Sequence, residues 1–304
     1  MSWLTEATPT TGPGPCSAVD LVVEPGVKDL GGFRVRRALP TARRRLVGPF
    51  IFFDHMGPVQ FAPGNGIDVR PHPHIGLATL TYLVSGSIMH RDTLGSAERI
   101  EPGAVNWMTA GRGIAHSERT DPESRAAGQT MQGIQSWVAL PASAEETAPG
   151  FHHYAAASLP TLADAGLEAR LIAGEAFGLS SPVQTFSPMF YLDVRLDPGT
   201  AMPLPADYPE RALYLLEGEI EIAGEIFAPM RLLVFRPGDP ISLRAQGAVR
   251  LLALGGEPMD GPRHIWWNFV SSSKDRIEQA KADWTSGRFG LVPGDEREFI
   301  PLPA

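Results

Sequence analysis

The sequence predicts an all-β fold made of two tandem β-barrels, followed by one helix that packs against a barrel. The chain has 32 glycines and 29 prolines among 304 residues, a density that suits short strands joined by turns rather than long helices. It also repeats itself: residues 82–88 (YLVSGSI) resemble residues 214–220 (YLLEGEI), and residues 101–104 (EPGA) resemble residues 236–239 (RPGD). Such self-similarity indicates two copies of one structural unit.

Strand-like segments occur throughout both halves. Residues 33–36 (FRVR) alternate apolar and charged side chains, as a half-buried strand does, and residues 79–84 (TLTYLV) form an apolar run that ends at a Ser-Gly turn pair. Pro71 and Pro73 lack a backbone N–H, so their segment is expected at the edge or start of a strand. Further strands are predicted at residues 19–23, 48–58, 105–108, 132–140, 167–172, 189–196, 212–216 and 219–222.

Composition divides the chain into four parts. Residues 1–18 are rich in Thr, Pro and Gly and are expected to form a flexible tail, and residues 141–149 have the composition of a linker. We therefore predict an N-terminal barrel over residues 19–140 and a C-terminal barrel over residues 150–304. The second part ends with a helix at about residues 272–286, with Ser272 as its cap, Asp275 three residues later, Ile277, Ala280 and Trp284 on its apolar stripe, and Gly287 after its last turn.

Charge and cysteine content narrow the classes of protein. The chain is 43% hydrophobic and 20% charged with a net charge of −8, which argues against strong direct nucleic-acid binding, since that needs Lys and Arg to neutralise phosphates. Cys16 is the only cysteine, so no intramolecular disulfide can form and a reducing compartment is expected. No signal peptide and no membrane-crossing apolar run is recognised, so we expect a cytoplasmic protein.

A group of arginines is expected to form a solvated strand face or a row of salt bridges. It comprises Arg34, Arg36, Arg37, Arg43, Arg44 and Arg45.

Two pairs of metal-ligand residue types flank the strand at 79–84. They are His72 and His74 on one side and His116 and Glu118 on the other, with one residue between the members of each pair. In a β-strand, residues i and i+2 point to the same face, so each pair can converge on one ion. Three imidazole nitrogens and one carboxylate suit iron, nickel, copper, zinc, manganese or cobalt, and these ligand types alone do not choose among them.

Each pair also has a simpler explanation. One His-x-His in a chain with 8 histidines is a weak signal, because histidines also occur satisfied in cores and solvated in loops. Two such pairs around one hairpin-like stretch favour metal binding. His90 is expected to make a structural hydrogen bond rather than a further metal contact. His55 either holds a ligand imidazole through its free N–H or packs at the rim.

The residues around these pairs resemble the signature of the pirin family. The resemblance rests on PHPH at 71–74, HRD at 90–92, WMTAGRGI at 107–114, HSE at 116–118 and QGIQ at 132–135, followed by Trp137. It covers nearly the whole chain and is densest between residues 48 and 140. It implies a bicupin, that is, two cupin barrels of the double-stranded β-helix or jelly-roll type, with one iron ion held by His72, His74, His116 and Glu118.

The resemblance also implies a function. Some bacterial and animal pirins are credited with quercetin 2,3-dioxygenase activity, so we expect an Fe²⁺-dependent oxidoreductase that cleaves a flavonol with O2. In this interpretation Glu118 is the general base, and Phe52, Met56 and Met108 line the pocket. The alternative from the same family is a non-catalytic, metal- or redox-dependent regulator that binds a protein partner, as a transcriptional co-regulator or as a modulator of a metabolic enzyme.

Two departures from the common cupin pattern bear on these predictions. Many cupins carry a glutamate four residues after the second histidine of the first motif, where this chain has Ala78, so Glu118 is the sole carboxylate of the motif. In the second half, the repeat aligns Leu204 with His72 and Ala206 with His74. The second barrel is therefore expected to be metal-free, with a structural or partner-binding role.

Overall fold

The computed structural model describes residues 8–30 and 33–303, and most of its regular structure is β-strand. The first half contains β1 (Thr10–Pro13), β2 (Val19–Glu24), β3 (Gly26–Asp29), β4 (Arg34–Leu39), β5 (Phe50–Phe61), β6 (Asp68–His74), β7 (Leu77–Ser85), β8 (Ile88–Asp92), β9 (Ala97–Ile100), β10 (Val105–Thr109), β11 (Ile114–Arg119), α1 (Pro122–Ala127) and β12 (Gln129–Ala139). Within the described ranges, no helix has the length and apolar character needed to cross a membrane.

The second half repeats this succession of short strands. It contains β13 (Gly150–Tyr154), β14 (Thr161–Asp164), β15 (Leu167–Ala176), β16 (Leu179–Ser180), β17 (Met189–Leu196), β18 (Ala201–Pro203), β19 (Glu210–Glu217), β20 (Ile220–Ile222), β21 (Glu225–Phe227), β22 (Arg231–Phe235), β23 (Ser242–Ala245), β24 (Val249–Gly256), β25 (His264–Trp266), β26 (Phe269–Ser271) and α2 (Lys274–Thr285). Two short 3-10 turns lie at Ala142–Ala144 and Ala156–Ser158.

Four sheets form two barrels. In the first barrel, the strands β13-β10-β7-β12-β5-β4-β3 pack against the four strands β6-β11-β8-β9. In the second, a nine-stranded sheet with the order β1-β2-β22-β19-β24-β17-β15-β14, in which β16 also pairs with β15, packs against β18-β23-β20-β21. When β13 of the first large sheet is matched with β2 of the second, the remaining strands of the two sheets match one by one, for example β7 with β19 and β12 with β24. The predicted all-β fold of two tandem barrels is confirmed.

The two halves exchange strands between the barrels. β2 pairs with β22 of the second barrel, and β13 pairs with β10 of the first. The predicted bounds 19–140 and 150–304 do not include this exchange, because an apolar pattern identifies a strand without identifying its partner.

Part of the predicted flexible tail is a strand. β1 pairs with β2 from Thr10 opposite Glu24 to Pro13 opposite Leu21, so residues 10–13 cover the free edge of the second barrel's sheet. The prediction of a loose tail is wrong for these residues, since backbone pairing decides there and composition does not. Residues 1–7 lie outside the described part of the chain.

The outer faces of the two large sheets pack against each other. Their shared core includes Phe50 and Phe53 from β5, Tyr82 from β7, Tyr191 from β17 and Tyr214 from β19, all with no exposed surface. Because side chains alternate along a strand, the odd-numbered residues of β7, on either side of Tyr82, face the interior of the first barrel.

The segment predicted as a linker, residues 141–149, is folded against the second half. Within it, Glu145 is buried and forms an ion pair with Arg263 (2.8 Å between Oε1 and Nε). Glu145 also accepts hydrogen bonds from the backbone N–H (2.8 Å) and hydroxyl (2.9 Å) of Ser272.

The N-cap of the C-terminal helix is Ser273, one residue after the predicted cap. Ser272, the predicted cap, is engaged by Glu145, and Ser273 instead accepts the N–H of Arg276 at the start of α2. The helix itself lies where the sequence predicts it. Its buried face, Ile277 and Ala280, packs in one cluster with Ile75, Trp267 and Phe269.

The arginine-rich segment forms ion pairs within the fold. Arg37 binds both carboxylate oxygens of Asp54 at 2.8 Å, and Arg44 lies 3.6 Å from a carboxylate oxygen of Glu210. The salt-bridge interpretation is confirmed for these two arginines.

Candidate metal centre

The strands β6 and β11 hold the three candidate histidines. β6 is the edge strand of its sheet, as predicted from Pro71 and Pro73, because an edge strand does not need their missing N–H groups. The register between the strands places His116 opposite His72, and His74 follows two residues along β6. Ring centroids are 4.5 Å apart for His72 and His116 and 5.0 Å apart for the other two pairs. All three side chains are buried, and one nitrogen of each lies within 4.8 Å of the others.

Ring nitrogens of these three histidines face one another in a space that excludes solvent. His72 Nδ1 donates to the carbonyl of Arg70 (2.8 Å), so its Nε2 carries no proton, and that Nε2 is buried without a partner. The Nε2 atoms of His74 and His116 lie 3.1 Å apart. Burial, followed by the neighbouring imidazoles, lowers the pKa of all three rings well below the usual histidine value. They are therefore neutral at pH 7, which is the form that binds metal ions.

His90, which is outside the group of three, orients the ring of His116. Nδ1 of His116 lies 3.3 Å from Nδ1 of His90, and Nε2 of His90 lies 3.1 Å from a carboxylate oxygen of Asp92. Asp92 is fixed in turn by the backbone N–H groups of Leu94 and Ser96. Such outer hydrogen bonds hold a ligand ring and select its tautomer. The predicted hydrogen-bonding role of His90 is confirmed.

Glu118 lies in a different hydrogen-bonding position from the histidines. Both of its carboxylate oxygens accept from Nε2 of Gln135 (2.9 and 2.8 Å), and Oε1 also accepts from the hydroxyl of Thr81 (3.1 Å). A register shift in the pairing of β11 with β6 places one extra residue on β6, between His72 and Val69, whereas β11 pairs with β8 without interruption. His116 and Glu118 therefore keep the i, i+2 relation along β11. The group of mutually close donor atoms contains the three histidines without Glu118.

Polar side chains cross the inner face of the large sheet in one layer. Thr81 pairs with Asn106 on one side and Gln135 on the other, and Gln135 pairs with Asp54. Residues directly opposite each other in antiparallel strands share a face, so these side chains form one row. Asn106 Oδ1 accepts from Nδ1 of His153 (2.7 Å), which extends the row to β13. The sequence signal for this row was the pair of threonines on one face of an otherwise apolar strand.

His55 hydrogen-bonds away from the three histidines. Its ring nitrogens contact the hydroxyl of Tyr214 (3.2 Å) and Nε2 of Gln132 (3.2 Å), so it connects the first barrel to the second. Burial, with a smaller effect of Arg36, lowers its pKa to about 3. The described hydrogen bonds of His55 do not reach a candidate ligand.

The predicted pocket residues Phe52, Met56 and Met108 are all buried. Phe52 and Met108 share an apolar cluster with Trp137, whereas Met56 belongs to a separate one. Trp137 stacks on Phe52, with centroids 4.0 Å apart and planes 12° apart, and its ring meets that of His74 at 5.2 Å and 78°. Sequence reasoning gave no role to Trp137, because strand alternation alone does not show which inward residue meets a ligand.

The residues present suit a metal ion. Three neutral imidazoles converge in a buried space, and the unpartnered Nε2 of His72 is a lone pair that nothing in the described protein satisfies. Buried polar atoms are normally paired, and a shared cation would satisfy all three nitrogens at once. In the described ranges, this is the one group of three or more such residues whose donor atoms are mutually close.

Comparison with known proteins agrees with this description. Residues 32–138 match the family described as Pirin, and residues 191–290 match the Pirin C-terminal cupin domain. A pirin-like protein of Caulobacter vibrioides is 54% identical over 94% of this chain and 99% of its own. The crystal structure of a quercetin 2,3-dioxygenase from Acinetobacter baumannii is 35% identical and covers 91% of this chain and 93% of its own, with a TM-score of 0.85. A bacterial pirin from Escherichia coli, solved with nickel(II), is 18% identical and covers 78% of this chain and 96% of its own, with a TM-score of 0.60, and shares the fold. The chain belongs to the pirin family.

Proposed function

We propose that this protein is a metal-dependent dioxygenase that cleaves a flavonol such as quercetin with O2. The observation that carries the proposal is the convergence of three buried, neutral imidazoles in one barrel. The similarity to a quercetin 2,3-dioxygenase of 35% identity supports the substrate class.

We further propose that one divalent ion is held by His72, His74 and His116, with Glu118 as the fourth ligand. Iron is our first choice, because dioxygen chemistry needs a redox-capable ion and imidazole with carboxylate suits iron. Nickel is the first competitor, since a bacterial pirin has been solved with it. A bound ion would supply a positive charge for a substrate oxygen anion and a site for the reaction with dioxygen.

The protein's own groups would prepare the substrate. Glu118 would take the proton of the substrate hydroxyl onto a carboxylate oxygen, acting as general base. Gln135 and Thr81, which donate to that carboxylate, would hold it in position while it does so. The buried side chains of Phe52 and Met108 would exclude water and pack against the aromatic substrate.

An oxygen-consumption assay tests the proposal. Protein loaded anaerobically with Fe²⁺ should consume quercetin and O2 in equal amounts, well above the rate with free Fe²⁺, and elemental analysis should find one ion per chain. His74→Ala removes one nitrogen and should abolish both metal uptake and turnover. The matched control is His152→Ala, which changes an exposed histidine and should leave both unchanged.

Metal uptake without turnover would contradict the dioxygenase proposal. It would favour the alternative predicted from the family, a metal-dependent regulator that binds a protein partner. We place either form of the protein in the cytoplasm and expect no direct nucleic-acid binding.

A further inference from the structure

The indole N–H of Trp137 is a buried hydrogen-bond donor that lies beside the histidines and has no partner in the described part of the chain. The side chain of Trp137 is 2% exposed, and its indole Nε1 has no hydrogen-bond partner. Its ring makes an edge-type contact with the ring of His74, at 5.2 Å between centroids. A buried donor without an acceptor costs about 1–3 kcal/mol, so proteins rarely retain one unless something else accepts from it.

Two other tryptophans of the chain have acceptors for their indole N–H groups. Trp107 Nε1 donates to the hydroxyl of Thr109 (3.0 Å), and Trp284 Nε1 donates to the carbonyl of Ile300 (3.0 Å). Trp107 and Trp284 are thus satisfied, whereas the unused indole belongs to Trp137, which touches a candidate ligand.

The orientation of the Trp137 ring is fixed by stacking. The centroids of the Trp137 and Phe52 rings are 4.0 Å apart, and the two ring planes are 12° from parallel. The guanidinium carbon of Arg37 lies 4.4 Å from the centroid of Phe52, so the phenyl ring itself is held in place. A ring clamped in this way cannot turn to find another acceptor without losing its packing.

We propose that the indole N–H of Trp137 donates a hydrogen bond to an oxygen anion of a ligand bound at the three-histidine centre. The inference rests on the proposed metal centre and adds to it a residue that determines specificity. The class of ligand it selects is a carboxylate or an enolate-type oxygen. A ligand that is apolar at this point would leave the donor unpaired and would be rejected.

Indole NMR of the zinc-loaded protein tests this inference. Zn²⁺ is redox-inert, and formate is the probe because it presents an oxygen anion to the ion. The full-length chain, labelled with ¹⁵N at indole nitrogens and loaded with Zn²⁺, is titrated with formate. We expect the Trp137 indole proton to move downfield as formate saturates, while the Trp107 and Trp284 protons stay in place.

A pair of matched variants provides the second measurement. Trp137→Phe keeps an aromatic ring on Phe52 but removes the donor, so the formate Kd, followed from histidine ring resonances, should rise by at least about 10-fold. Trp107→Phe makes the same change at a satisfied indole and should leave the formate Kd unchanged. Both variants should bind Zn²⁺ as the wild type does.

The outcomes separate this inference from the proposed function. If Zn²⁺ and formate bind but the Trp137 proton does not move, the inference is overturned and the metal centre stands. If no ion is taken up, the metal centre and the inference fall together. If Trp137→Phe weakens formate binding no more than Trp107→Phe does, the proposed donor is wrong.

Discussion

The two barrels share one strand plan but differ in what fills them. The ligand strands β6 and β11 of the first barrel correspond in sheet order to β18 and β23 of the second. Where the first barrel sets His72 opposite His116, the second sets Met202 opposite Leu243. The corresponding strands of the second barrel thus pair buried apolar side chains where the first barrel pairs buried histidines.

The same contrast holds on the large sheets. Taking the repeated tyrosines as reference, Thr81 corresponds to Leu213, and its neighbour Gln135 corresponds to Ala253. Leu213 and Ala253 are buried in the continuous apolar core of the second barrel. Cross-strand pairing fixes the backbone of both barrels, so the inward side chains alone decide whether a barrel is a packed core or a candidate site.

The largest effect we expect in this comparison is on stability. Leu213→Ala should lower the free energy of unfolding by about 3 kcal/mol, because it leaves a cavity in a close-packed core, while metal uptake stays at the wild-type level. Thr81→Ala, at the corresponding position of the first barrel, should cost only about 1 kcal/mol, since it removes one hydrogen bond. Urea unfolding and elemental analysis measure the two quantities, and equal destabilisation by both variants would contradict the contrast.

The interface between the barrels should make stability depend on pH. The pKa of His55 is lowered to about 3 in the folded chain, whereas in the unfolded chain it is about 6.5. A histidine whose pKa is lowered on folding contributes its full stabilisation above pH 6.5, where it is neutral in both states. This contribution to the free energy of unfolding is lost as the pH falls toward 3. Because of His55 alone, the free energy of unfolding should be about 2 kcal/mol lower at pH 5 than at pH 7.

Unfolding of the metal-free protein at pH 7 and pH 5 measures this loss. His55→Gln should show a pH dependence smaller by that amount, and His152→Gln, which alters an exposed residue, should show the wild-type dependence. An identical pH dependence in His55→Gln and the wild type would show that His55 is not responsible.

The smallest expected effect concerns the support of Glu118. Gln135→Ala removes the amide that donates to both of its carboxylate oxygens, so metal affinity should fall by about 10-fold, as loss of an outer hydrogen bond typically causes. Competition with a chelator measures this change. The control is Asn106→Ala. Asn106 lies in the same polar row but hydrogen-bonds to His153 and not to Glu118, so this variant should keep the wild-type metal affinity. Equal affinities in the wild type and both variants would show that the Gln135 amide does not support a metal ligand.

Local sequence patterns predicted a large part of the fold and of the site. Prolines 71 and 73 indicated an edge strand, and β6 is one, because a missing N–H is a property of the residue itself. Spacing likewise predicted that His72 and His74 share a face. Spacing also predicted that His116 and Glu118 share a face, and the uninterrupted pairing of β11 with β8 agrees with it. Spacing did not show that Gln135 and Thr81 would hold the carboxylate of Glu118, because that contact joins three strands.

The sequence by itself determined the class of fold, the repeat and the three histidines, since alternation, turn residues and ligand spacing act within a few neighbouring residues. Only the tertiary structure decided that β2 and β13 exchange barrels, that Gln135 and Thr81 hold Glu118, and that Trp137 lies against His74 with a free N–H. These features depend on contacts between residues far apart in the chain, and such contacts exist only once the sheets have paired and closed.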